Sequence, residues 1–102
     1  MNHPLLSLCI PTYNRSILLS DLLASIERDV QPFRDAVEIV VSDNCSDDDT
    51  IDVVRAFQDR LDVRYFRQER NIGQTANICF VPSLATGTYC WILGSDDLLV
   101  PG

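Results

Sequence analysis

The sequence predicts an α/β fold, a mainly parallel sheet with helices packed on its faces. Two observations carry this expectation. Four apolar, β-rich runs alternate with three stretches of helical periodicity, and strands joined by helical crossovers pair in parallel with right-handed connections. Polar residues also gather just after each apolar run, on the rim where sheets of this kind place their ligands.

The elements follow in order. Leu5–Ile10 reads as the first strand, stopped by Pro11. Leu19, Leu22, Leu23, Ile26 and Val30 recur at helical spacing, so an amphipathic helix is expected from about Ser16 to Asp29, with Pro32 just past its end. Glu38–Ser42 is a short strand with a β-branched centre. Ser46 followed by Asp49 resembles a capping box, opening a second helix with Ile51, Val54, Phe57 and Leu61 on one face. Val63–Arg67 is the third strand, and Asn71-Ile72-Gly73 is a turn before a third helix reaching to about Ala85. Pro82 conflicts with that length, because a mid-helix proline loses a hydrogen bond and clashes with the preceding turn, costing ~3 kcal/mol. Either a kink near Ile78 or an early helix end is expected. Gly87 closes the segment, and Tyr89–Leu93 is the fourth strand, leading into Gly94-Ser95-Asp96-Asp97.

Composition narrows the function. The 102 residues suffice for one domain, 46% hydrophobic and 23% charged, with a net charge of -7. All eight basic residues are arginine. Such a surface repels polyanions, which argues against nucleic acid or an anionic membrane as partner. The cysteines (Cys9, Cys45, Cys79 and Cys90) form no C-x-x-C pair, and the one histidine, His3, is in the N-terminal tail, so no zinc site is expected. Cys9, Cys79 and Cys90 lie in apolar runs and are expected in the core, while Cys45 lies in a polar loop. The start Met-Asn-His-Pro lacks the pattern of a secretory leader, and no apolar run approaches the ~20 residues that span a bilayer. A cytoplasmic protein is expected.

The chemistry-bearing residues sit at the strand ends. Asp96-Asp97 is the sharpest feature. Adjacent carboxylates repel by about 4 kcal/mol at 4 Å and an effective dielectric near 20. They suit either a solvated acidic turn or a divalent cation shared with a diphosphate. Asp43-Asn44 fits an Asx-turn opening helix two, or acceptors for a base edge or ribose. A calcium loop counted from Asp43 fails, since Asp48 stands where glycine is needed and Val54 where glutamate is needed. Pro11-Thr12-Tyr13-Asn14-Arg15 offers an aromatic ring and hydrogen-bonding groups after strand one, with Tyr13 either a stacking platform or a rim residue packed on helix one. It lacks the G-x-G-x-x-G of a dinucleotide enzyme and the strand-end carboxylate of a phosphoaspartyl enzyme.

Taken together, P-T-Y-N-R, V-S-D-N-C-S-D-D-D-T, N-I-G and T-G-T-Y-C-W-I-L-G-S-D-D, in this order, resemble the family 2 glycosyltransferases of GT-A fold, from about Leu5 to Gly102. The resemblance implies a three-layer α/β/α unit with strand order 3-2-1-4, the N-terminal, nucleotide-sugar-binding half of that fold. It implies transfer of a sugar from a nucleoside-diphosphate sugar to an acceptor hydroxyl, with inversion, in cell-surface polysaccharide synthesis. Pro11, Thr12, Tyr13, Arg15, Asp43, Asn44 and Asp96 would meet the donor, and Asp97 with Asp96 would hold Mn²⁺ or Mg²⁺. Arg67 or Arg70 matches more loosely.

Three departures stand out. Asn44 replaces a frequent second aspartate, Gly94 occupies the first position of a full D-x-D, and Cys45 stands where glycine is common. Residues 1–102 are thus expected to form a single donor-binding domain, truncated after the acidic motif and inactive alone. The catalytic base and the site for a sugar or glycolipid acceptor would lie beyond Gly102. Peripheral association with the inner membrane face and self-association through an exposed sheet edge are also expected. Two readings stay open beside this one: a nucleotidyltransferase-like domain, which would usually carry a glycine-rich basic loop after strand one, and a non-catalytic nucleotide-binding or structural remnant.

Overall fold

The structure is a computed structural model, described here for residues 4–94. Four parallel strands, β1 (Leu6–Thr12), β2 (Val37–Asp43), β3 (Val63–Arg67) and β4 (Tyr89–Ile92), form one sheet in the order β3-β2-β1-β4. The helices are α1 (Ser16–Val30), α2 (Thr50–Phe57) and α3 (Gln74–Phe80). Short 3-10 segments, Gln31–Ala36 and Val81–Leu84, follow α1 and α3.

Handedness explains the layers. The steps β1 to β2 and β2 to β3 move one way across the sheet, so right-handed crossovers put α1 and α2 on one face. The step from β3 to β4 moves back past β1 and puts α3 on the other face. The chain therefore reverses direction at the carboxyl end of β1, the position where open α/β sheets form a ligand crevice.

The larger core fills the first face. Leu19, Leu22, Leu23 and Ile26 of α1, with Val54 and Phe57 of α2, pack on Leu8, Ile10, Ile39, Val41 and Val63. Each buried aliphatic side chain contributes roughly 1.5–3 kcal/mol. The second face holds a smaller cluster of Cys9, Val40 and Val81.

Several expectations are revised. Strand β1 runs through Pro11 to Thr12. Cys9 O accepts from Leu93 N at 2.9 Å and Thr12 O from Asn44 N at 2.8 Å, so alternate residues bond to β4 and β2. Pro11 turns toward the β4 side, beyond the Cys9–Ile92 pair that ends that ladder, where no donor is required. The capping box does not form. Ser46 Oγ instead donates to Asp43 Oδ1 at 2.6 Å, and Asp48 Oδ1 accepts from Thr50 N at 3.1 Å. Pro82 is accommodated by an early helix end at Phe80, with the proline in the first turn of the 3-10 segment.

Two cysteines are not in the core. Asn77 and Val81 are buried, four residues apart, and Cys79 between them points away and is exposed. Cys90 is exposed because the short α3 and its 3-10 extension leave β4 uncovered.

A buried polar network closes the end of the sheet opposite the crevice. Glu38, 2% exposed, accepts from Ser7 Oγ at 2.5 Å and from Thr86 N and Oγ1 at 2.6 and 2.9 Å, and pairs with Arg64 at 3.1 Å. Burial alone would raise the pKa of this carboxyl; the Ser7 and Thr86 hydrogen bonds and the Arg64 charge outweigh it, and the pKa is lowered.

Candidate functional site

A cavity of about 430 Å³ opens at the carboxyl end of β1, at the reversal point of the sheet. That volume lies in the range of small-molecule sites. Strand β1 and the loop after it contribute Pro11, Thr12, Tyr13 and Arg15; β2 leads into Asn44; and Gly94 follows β4. The opposite wall is Asn71, Gly73, Gln74, Asn77 and Ile78. Five of the residues expected at the site, Pro11, Thr12, Tyr13, Arg15 and Asn44, thus share one cavity.

Thr12 carries an orphaned polar group. It is only 3% exposed, and its Oγ1 is buried with no hydrogen-bond partner among the described residues, at a cost of roughly 1–3 kcal/mol. Strand alternation points this side chain to the α1/α2 face with Leu8, Ile10 and its register partner Asp43, so the hydroxyl is not offered to the cavity. Tyr13, 42% exposed, lines the same cavity.

The loop between β1 and α1 is held in place by its neighbours. Asn14 has φ 49°, a left-handed conformation that asparagine tolerates. Its backbone N donates to Ser46 Oγ at 2.8 Å, and its Oδ1 accepts from Asp47 N at 2.9 Å.

Asp43 and Asn44 diverge. The Asp43 side chain turns inward and does not line the cavity: it is 1% exposed and accepts from Ser46 N at 2.9 Å, from Ser46 Oγ and from the Tyr65 hydroxyl. Burial, then the Asp43 hydrogen bond and charge, raise the Tyr65 pKa. Asn44 lines the cavity and braces its far wall. Its Nδ2 donates to Asn71 Oδ1 at 2.9 Å, and its Oδ1 accepts from Ile72 N at 2.8 Å. Arg67 donates to Ser46 O at 2.9 Å, away from the cavity.

The wall residues Asn71, Gln74 and Asn77 were not candidates from sequence. Asn77 was legible as a lone amide on the buried face of α3. Its Nδ2 donates to Ser42 O at 2.9 Å and its Oδ1 accepts from Ser42 Oγ at 2.7 Å, fastening α3 to β2. Gly73 takes φ 90° at the start of α3, a backbone region suited to glycine.

Among the described lining residues Arg15 is the one charged side chain, set among four carboxamides. This lining suits an anionic ligand with a polar ring edge. Asp96 and Asp97 lie outside the described residues. Among the described residues no cluster of three or more His, Cys, Asp or Glu converges as a metal site, and no helix is long and apolar enough to cross a membrane.

Comparison with known proteins agrees with this geometry. The family model Glycosyl transferase family 2 matches residues 7–102. Abequosyltransferase RfbV of Salmonella typhimurium is 42% identical over 97 residues, 93% of this chain and 29% of that protein. S. aureus TarS in complex with UDP superposes with a TM-score of 0.85 at 28% identity, covering 92% of this chain and 28% of that one. The mannosyltransferase PcManGT of Pyrobaculum calidifontis, in complex with GDP-Man and Mn²⁺, gives 0.82 at 27% identity, covering 96% and 29%. The chain therefore spans under a third of the length of these relatives.

Proposed function

The chain belongs to glycosyl transferase family 2, and we propose that its cavity binds the nucleotide of a nucleoside-diphosphate sugar for transfer to an acceptor hydroxyl. The observation that carries this reading is the cavity at the reversal point of the sheet, which gathers Tyr13, Arg15 and Asn44 from two strand ends. Bound ligands in the TarS and PcManGT structures, UDP and GDP-Man, support it.

In this reading Tyr13 stacks on the base and Thr12 lines the nucleoside pocket beside it. The second lone pair of Asn44 Oδ1 accepts from an imide N–H, which favours a pyrimidine such as uracil. Arg15 faces the anionic part of the donor. Asp43 acts at one remove, holding the Ser46 loop that in turn holds Asn14.

Asp96 and Asp97 offer hard oxygen donors suited to Mn²⁺ or Mg²⁺. By their positions in the family motif we assign Asp97 as the better metal ligand and Asp96 as the better ribose or sugar contact; the opposite directions of neighbouring side chains leaving a strand explain why their roles differ. When bound, such a cation stabilises the charge on the departing diphosphate. The acceptor is proposed to be a sugar or glycolipid hydroxyl and the transfer to invert configuration. Self-association is proposed at the open β4 edge, where unpaired backbone groups favour pairing with a second copy.

Calorimetric titration of UDP, dTDP and GDP, with and without Mn²⁺, tests the site. Asp97→Asn is expected to abolish the Mn²⁺-dependent part of the affinity, and Asp96→Asn to weaken binding with or without metal. Identical behaviour of the two variants would remove the division of roles.

A further inference from the structure

Strands β1 and β4 bring two thiols together on the sheet face that carries α3. Ser7 is the register partner of Cys90 and Cys9 the partner of Ile92, so Cys9 and Cys90 are diagonal neighbours. Their Sγ atoms lie 3.0 Å apart, about 1 Å beyond the covalent distance of ~2.05 Å. Cys9 is buried against Val40 and Val81, whereas Cys90 is open to solvent on the edge strand. The other two thiols are arranged differently: Cys45 Sγ donates to Glu69 O at 3.7 Å, and Cys79 is exposed on α3.

We propose that Cys9 and Cys90 form a redox-sensitive dithiol that closes to a cross-strand disulfide in the presence of a small-molecule disulfide such as oxidised glutathione. The exposed Cys90, as thiolate, attacks one sulfur of the small disulfide, whose S–S bond breaks and releases one thiolate. Cys9, as thiolate, then attacks Cys90 Sγ and expels the second small thiolate. The two protons lost by the protein thiols pass to the two departing thiolates. Two protein thiols are oxidised and one small disulfide is reduced.

The order of attack follows from the environments. Cys9 is held protonated, its pKa pushed up to about 12 by burial, then by the hydrogen bond and charge of Cys90. Once Cys90 is a mixed disulfide its thiolate charge is gone, and the second step proceeds within one molecule. The bond would fasten β4 at the strand that carries Gly94 into the cavity wall, since Leu93 N already donates to Cys9 O at 2.9 Å.

The test is to incubate the purified, reduced protein with oxidised glutathione, quench with acid, count thiols in denaturant and map peptides by mass spectrometry. The expected product has lost two of its four thiols to one linkage, Cys9–Cys90, with the intact mass lower by two hydrogens. Cys90→Ser, at an exposed position, is expected to give no linkage at Cys9. Persistence of a stable mixed disulfide on Cys90, a linkage from Cys9 to Cys45 or Cys79, or survival of all four thiols would overturn the proposal. No nucleotide enters this readout, so it stands or falls separately from the donor site.

Discussion

The carboxamide of Asn44 donates to Asn71 Oδ1 at 2.9 Å, joining the two walls of the cavity. The same Asn71 oxygen accepts from Gly73 N at 2.8 Å, which fixes the orientation of its amide. Asn44→Asp would set a carboxylate oxygen against that acceptor. It is expected to cost about 1 kcal/mol of stability, read as a lower urea midpoint, and to weaken nucleotide binding. Asn71→Ala removes the acceptor from both donors and is expected to cost about 1–2 kcal/mol.

Acid stability should report Glu38. Its folded pKa lies below the ordinary value of 4.5, so the unfolded chain binds the proton more readily. The contribution is full above that value and is lost as pH falls through the folded pKa. Urea unfolding from pH 6 down to 3 is expected to show falling stability in the wild type and a flatter acid limb in Glu38→Gln. At neutral pH the same variant is expected to be less stable by about 1.5–3 kcal/mol.

Gly87 sits against β1 with no room for a side chain. A Cβ there would lie 2.6 Å from Ser7 Oγ and 2.9 Å from Ser7 N. Its own N donates to Ser7 Oγ at 2.8 Å, so the hydroxyl cannot move without loosening the Glu38 network. Gly87→Ala is expected to destabilise by about 1–3 kcal/mol in thermal or urea unfolding.

Cys45 gives the opposite sign. Its φ of 68° is a left-handed conformation that suits glycine, the residue common at this position in the family it resembles. Removing a Cβ from a left-handed residue gains ~1–2 kcal/mol and the added chain entropy of glycine costs ~0.5–1 kcal/mol, so Cys45→Gly is expected to stabilise by about 0.5–1 kcal/mol, read as a higher urea midpoint. An unchanged or lower midpoint would mean the strain is relieved elsewhere.

The order and type of the elements were legible because apolar periodicity and turn residues agree along the chain. The 3-2-1-4 order came from the alternation of strands and helices together with the family resemblance. That Tyr13, Arg15 and Asn44 share one cavity was legible because each follows a strand at the end where such sheets bind ligands. The inward turn of Asp43 was not legible: its partner Tyr65 is 22 residues away in sequence, and the pairing depends on β2–β3 register. The exposure of Cys90 was hidden for a similar reason. An apolar run shows that a strand forms, while whether a helix covers it depends on where Pro82 ends the preceding helix.

The central claim, a donor-nucleotide site at the carboxyl end of β1, is tested most directly by titrating UDP with Mn²⁺ into the wild type and Tyr13→Ala in parallel. Tyr13 is 42% exposed, so the variant is expected to fold with nearly unchanged stability. Its affinity is expected to fall by roughly fivefold or more, the loss of base stacking worth ~1–3 kcal/mol. Saturable UDP binding by the wild type, weakened in this way while stability holds, is the result predicted. A folded wild type with no saturable binding, or a Tyr13→Ala variant that binds UDP as tightly, would contradict the claim.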